Sequence, residues 1–383
     1  MRNVREHSVT TVRRPAATMP TALDAAACRR LFGSLHLNGQ RVKAERYVRG
    51  LLSVPGRKTL QSIAAQFDGA SAQQSVHHFI STSPWEWMPI RHAAARHAQR
   101  VLAPEAWVIG STLIPKTGPH SVGTDPQPTP MGTVNGQQAV GTWLASQRSA
   151  VPVDWQLRLS ARWTADPLRR RASVPENAAY GTVEECVQQA VHGLLHIAGM
   201  RRLPVVVDIP EVNGMAIARF LTTTGLPFVV RVSPVTPVRI DRSRLPMYGD
   251  LLRAAGELAE SLPYVRHPAN PGDGRTTGVM IPVVAPPPRR EPMTLLDERR
   301  PDRRAGRRLW LTNLDPSAVT AALRLTRLPG VVTRDCAAIS DGVGLRDFAG
   351  RSFPGWHRHI TLASVAHLMA ACEATEMNRT TVR

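Results

Sequence analysis

Lysine is nearly absent from this chain of 383 residues, occurring only at Lys43, Lys58 and Lys116, and acids are few: 29 against 48 basic residues. The formal charge of +19 therefore rests almost entirely on arginine, whose guanidinium fork suits bidentate contact with phosphate. Nucleic acid is the partner class this balance favours. Cysteine is also scarce. Cys28, Cys186, Cys336 and Cys372 lie far apart, which excludes both a paired zinc motif and a dense disulfide framework. No apolar run reaches signal or membrane-span length, so a membrane partner is not expected and the chain is expected in the cytoplasm, on the nucleoid.

Another deficiency is a single missing carboxylate. Ala106-Trp107-Val108-Ile109-Gly110 and Pro204-Val205-Val206-Val207-Asp208 both read as buried strands, and only the second ends in an acid. Enzymes that cut nucleic acid with two metal ions hold them between carboxylates, with the ions roughly 3.5–4 Å apart. Gly110 has no donor to offer.

The order of elements is legible from periodicity. Residues 1–20 read as a disordered N-terminus and 21–102 as a helical DNA-binding domain, with helices over Leu23–Leu35, Ala44–Leu52, Leu60–Phe67, Gln73–Ile80 and Ile90–Leu102. Asp68-Gly69-Ala70 reads as a tight turn, and Ser71-Ala72-Gln73-Gln74 as a capping box opening the next helix. That helix would show Gln73, Gln74, His77 and His78 on its polar side, where glutamine can read adenine edges. A generic helical hairpin gives the same pattern.

Strands follow at Trp107–Gly110, Gln138–Ala145 and Asp154–Leu159, then a helix over Val183–Ile197 and a strand over Leu203–Asp208. Three strands, a helix and a fourth strand is the order of a ribonuclease-H-like core, here spanning 103–232. Residues 233–306 read as a β-rich insertion with a mobile loop at Pro286–Arg290, 307–371 as the second part of the core, and 372–383 as a C-terminal tail. The fold class is α+β. Arg299-Arg300, Arg303-Arg304 and Arg307-Arg308 would line a groove wall, or else form a solvated loop.

The chain resembles the DDE transposases of bacterial insertion sequences, in the branch with a β-rich insertion between the second and third catalytic acids. The likeness runs from about Arg46 to Ala371. It is carried by Arg46-Tyr47-Val48-Arg49-Gly50-Leu51-Leu52, Lys116-Thr117-Gly118-Pro119-His120-Ser121-Val122-Gly123, Pro152-Val153-Asp154-Trp155, Arg162-Trp163-Thr164-Ala165-Asp166-Pro167, Gly225-Leu226-Pro227-Phe228 and Gly355-Trp356-His357-Arg358-His359. The resemblance implies DNA as partner, with Lys116, Arg169, Arg170, Arg171, Arg351 and His357 as contacts to it beside Arg303, Arg304, Arg307 and Arg308 of the arginine run, and an oligomer or an intact transposase as a further partner. It also implies Mg2+ or Mn2+ wherever catalysis is retained.

The departures fall on the chemistry. Gly110-Ser111-Thr112-Leu113-Ile114 stands where the family has its first Asp, and Thr333 falls on the family's Glu, with Pro329-Gly330 expected to interrupt the helix that presents it. Asp208 remains, as a metal ligand or as a cap of the turn after its strand. Substitute ligands would have to come from elsewhere: Glu211 a turn-like step beyond Asp208, Asp335 two residues past Thr333, or Asp341 before Gly342. The expectation is a transposase-derived DNA-binding protein without a resident cofactor, acting by occupancy. The alternatives are an active transposase with substitute ligands and a decoy subunit of an intact one.

Overall fold

The computed structural model describes residues 23–67, 71–178, 181–248, 252–262, 267–268, 276–288, 290–300 and 307–381. The N-terminal expectation for 1–20, the Asp68–Ala70 turn and the arginines Arg303 and Arg304 lie outside these residues.

Five helices come first: α1 (Ala25–Phe32), α2 (Asn38–Ser53), α3 (Leu60–Ala64), α4 (Ala72–Ser81) and α5 (Met88–Leu102). The capping box expected at Ser71 does not form, since the Ser71 side chain makes no cap bond. Thr59 and Ser62 form one at the start of α3 instead.

The strands β1 (Ala106–Pro115), β2 (Thr124–Thr129), β3 (Gly132–Ala145) and β4 (Ala150–Leu157) are antiparallel, with β3 pairing with β1, β2 and β4, and β1 runs past the end expected for it at Gly110 because its ladder with β3 continues to Pro115. β2 carries Pro126 and Pro128, which an edge strand tolerates because it pairs on one side only. Two single-turn helices follow, α6 (Ala161–Thr164) and α7 (Leu168–Arg171). Then α8 (Val183–Leu195) opens with a Thr182–Glu185 capping box and leads to β5 (Val205–Val207). α9 (Gly214–Thr224) is capped by Asn213, which accepts from Ala216 N at 3.1 Å, and Gly225 closes it at φ 67° before β6 (Phe228–Val232). β5 and β6 run parallel to β1 as nearly unbroken apolar runs, the pattern of strands covered on both faces. The order β4-β3-β1-β5-β6 is that of a ribonuclease-H-like core.

The insertion does not stand apart from this core. Strands β7 (Pro237–Ile240), β8 (Leu252–Ala254), β9 (His267–Pro268), β10 (Thr277–Val284) and β11 (Pro292–Arg299), with helix α10 (Ala255–Ser261) among them, lead to β12 (Arg307–Thr312). β12 pairs with β6 and β11 with β12, so the described residues form one 12-stranded mixed sheet.

After β12 come α11 (Val319–Leu325) and α12 (Leu328–Asp335), then α13 (Phe353–Thr381). Two expectations are corrected here. Pro329 and Gly330 do not interrupt a helix; they sit in the first turn of α12, where proline's missing N–H costs nothing. Residues 372–381 are no tail but the continuation of α13.

α13 is the spine of the molecule. It packs against α2, α4 and α5 on one side and β4 on the other, so the N-terminal helices share a core with the sheet. From Phe353 to Ala371 it is buried on nearly all sides, and its polar residues are each partnered. His359 bonds Tyr47 Oη at 2.8 Å and Gly344 O at 3.0 Å, while His367 bonds Ser340 Oγ at 2.8 Å and Ala150 O at 2.9 Å. No helix of the described residues is long and apolar enough to cross a membrane.

Candidate nucleic-acid interface

Strand register places Gly110 beside Asp208. Ile109 pairs with Val207 in the parallel β1–β5 ladder, and Asp208 N donates to Ile109 O at 3.3 Å, so the next residue on each strand points to the same face. A Cβ on Gly110 would meet open space. On β6 the same level is occupied by Arg231, because Val207 pairs with Val230. On β12 Trp310 pairs with Arg231, and Arg308 follows two residues away on that face.

Asp208 is therefore ringed by cations. Arg231 Nη1 lies 3.7 Å from its Oδ1 and Arg308 Nη1 lies 3.8 Å from its Oδ2. Burial raises its pKa, and Arg231, Arg308 and Arg300 oppose that rise. Among the described residues no backbone N–H of the turn after β5 donates to the Asp208 carboxylate, which faces the arginines instead. Behind them, Glu298 is fully buried, pairs with Arg300 at 2.7 Å and accepts from the Trp310 indole at 3.0 Å. Trp310 in turn lies under the Arg231 guanidinium at 5.3 Å.

The family's pair of divalent ions does not fit this donor set. Gly110 has no ligand, and each oxygen of Asp208 faces a guanidinium whose charge would repel a cation. The neighbouring acids do not fill the gap. Asp335 accepts from Ala150 N at 2.8 Å and Arg334 at 2.7 Å, Asp341 pairs with Arg346 at 3.1 Å, and Glu211 is exposed on the turn before α9. Thr333 sits on the solvent side of α12, its hydroxyl bonded to Pro329 O at 3.0 Å.

The other sequence-predicted contacts divide. Gln73, Gln74, His77 and His78 are exposed on α4 opposite the buried Val76, Phe79 and Ile80. Arg171 and Arg351 are exposed, while Arg169 and Arg170 pair with Asp166 at 3.6 and 2.9 Å. Arg307 is committed to Asp297 and Glu260, each at 2.8 Å.

Lys116 is fastened to Arg346 O at 2.9 Å and Phe348 O at 2.6 Å, with burial and Arg57 lowering its pKa to about 8. It lines a cleft of about 490 Å³ with Arg57, His120 and Arg346 but serves there as a clasp. His357 is corrected outright. It lies inside α13, is 4% exposed, stacks on Trp87 at 4.8 Å and meets Arg91 Nη2 at 3.0 Å, so it is core and out of reach of DNA. Arg231 was not singled out by sequence, although a lone arginine inside Phe228-Val229-Val230-Arg231-Val232 was the available signal.

A family described as DDE superfamily endonuclease matches residues 30–252, which includes β1, β5 and the Gly110–Asp208 level. No curated protein matches. Among solved structures, a cryo-EM structure of a piggyBac transposase synaptic complex with hairpin DNA is similar with a TM-score of 0.43 at 10% identity, over 89% of this chain and 67% of that one. With more than half of its length matched, this chain belongs to the DDE superfamily of endonucleases.

Proposed function

We propose that the chain is a transposase-derived DNA-binding protein that acts by occupying DNA and does not cut it. One observation carries this reading: where the family's first two acids would stand side by side, on β1 and at the end of β5, this chain has a glycine and an aspartate already faced by two arginines. The excess of 48 basic over 29 acidic residues supplies affinity for a phosphate backbone. The exposed polar face of α4 supplies a surface for any sequence choice. DNA within the cytoplasm is the partner, with a second copy or an intact transposase as a further one.

The test is retention of fragmented genomic DNA in manganese, followed by sequencing of the retained fragments and their ends. A shared motif with intact ends, and affinity that falls steeply with salt, is the expected result. New protein-dependent ends would establish an active nuclease instead, and a flat salt response would remove the phosphate contacts on which occupancy depends.

A further inference from the structure

We infer that Arg231 and Arg308 form a metal-free anion site that takes one backbone phosphate over the Gly110–Asp208 level. This rests on the DNA-binding reading above, and adds to it which group is held and by what.

The two guanidiniums are not closed on Asp208. A charge-assisted hydrogen bond to a carboxylate is about 2.7–2.9 Å long. The observed 3.7 and 3.8 Å leave both forks short of such a bond. Among the described residues neither guanidinium donates a hydrogen bond, although each fork carries five N–H donors and only 22% and 25% of the two side chains is exposed. No nitrogen of either fork is sealed from solvent, so these donors remain open to an incoming anion, which would meet N–H groups that no protein acceptor holds.

Charge points the same way. Two cations against the single Asp208 carboxylate leave one positive charge, the complement of one phosphodiester. Arg300 does not enter this count, because Glu298 at 2.7 Å and Thr326 O at 2.9 Å already hold it. Space is present too, since nothing lies within 4 Å of where a Gly110 Cβ would be. The ring of Trp310, anchored by its bond to Glu298, props Arg231 toward the opening. The guanidiniums thus stand where the family would place divalent ions and do the electrostatic part of their work.

The full chain, its R231Q/R308Q double variant and D208N are titrated with inorganic phosphate in EDTA, against chloride at equal ionic strength, and thermal midpoints are read. Phosphate is expected to raise the midpoint of the wild type, to raise that of D208N further because a competing anion is gone, and to leave the double variant at its chloride value. The same proteins are then titrated with a duplex at several salt concentrations. There the double variant is expected to lose about 0.9 from the slope of log affinity against log salt, the share of one phosphate.

A phosphate response that persists in the double variant, that vanishes in the wild type under EDTA, or that weakens in D208N overturns the site. If DNA binding by the wild type is intact in that case, the occupancy reading stands without it. A phosphate response as expected, with no binding of the duplex, defeats the occupancy reading and leaves the anion site.

Discussion

The guanidinium of Arg91 on α5 lies 2.6 Å from the carboxylate of Asp154 on β4, with 2% and 7% of the two side chains exposed. Arg91 also bonds Thr361 Oγ1 at 2.8 Å, Trp155 O at 3.0 Å and the His357 ring at 3.0 Å. One planar fork thereby joins the N-terminal helices, the sheet and α13. Arg91→Met would strand a buried carboxylate and is expected to cost about 3–5 kcal/mol. Urea unfolding measures this, and Arg91→Lys should recover little, because an ammonium cannot span four partners on two elements.

Acid should unfold the protein through α13. Burial holds His359 and His367 down to about 4, and His357 well below its ordinary value with help from Arg91. An unfolded histidine titrates near 6.5. Between those values the unfolded chain binds more protons than the folded one, so stability is complete above about pH 6.5 and falls as pH drops toward 4. Each such histidine adds a slope of roughly 1.4 kcal/mol per pH unit in that window. Urea unfolding at several pH values should show a shallower loss for His359→Gln than for the wild type.

Gly110→Asp should fold, since its Cβ meets nothing within 4 Å. The new carboxylate would join Asp208 against Arg231 and Arg308, so it should tighten the ion pairs and weaken phosphate and DNA binding. Manganese-dependent nicking of a supercoiled plasmid should remain absent. Nicks made by this single variant would show that the arginines do not block the metal site.

Gly214 at the start of α9 packs against the Arg231 carbonyl and Val232. A methyl group there must push β6 away, so Gly214→Ala is expected to destabilise by about 1–3 kcal/mol. It should also lower DNA affinity by moving Arg231 off the Asp208 level. Calorimetric unfolding and a duplex titration read the two effects separately.

The polar face of α4 can be tested for sequence choice. If Gln73 or Gln74 pairs with an adenine edge, its change to Ala should relax preference at one base pair by about 1–3 kcal/mol and leave the salt dependence alone. Selection from a random duplex pool measures this. An unaltered preference would make α4 a packing helix.

Much of the core could be read along the chain because its signals are local. The apolar run through Asp208, the helix expected over Val183–Ile197 and the apolar stripe of α4 each reveal themselves within a few residues. Pro329 misled because its effect depends on position: it breaks a helix interior but starts one at its first turn. His357 misled because exposure is not a local property. Its neighbourhood of Trp, Arg and His looks like a surface, and only the packing of α2, α4, α5 and β4 around α13 encloses it.

The absence of a carboxylate at Gly110, the retention of Asp208 and the excess of arginine are facts of composition and order, and they suffice to make a nucleic-acid partner expected and to leave two-metal cleavage without its first ligand. The Asp208 cluster belongs to another level. It gathers residues 208, 231, 298, 300, 308 and 310, which come from the end of β5 and from strands paired through register across a long insertion. No local pattern marks Arg231 as the partner of Asp208 rather than of any other acid. That choice is made when β6 pairs with β5, and Arg308 joins when β12 returns beside β6, because long-range strand pairing sets which side chains share a level and a face.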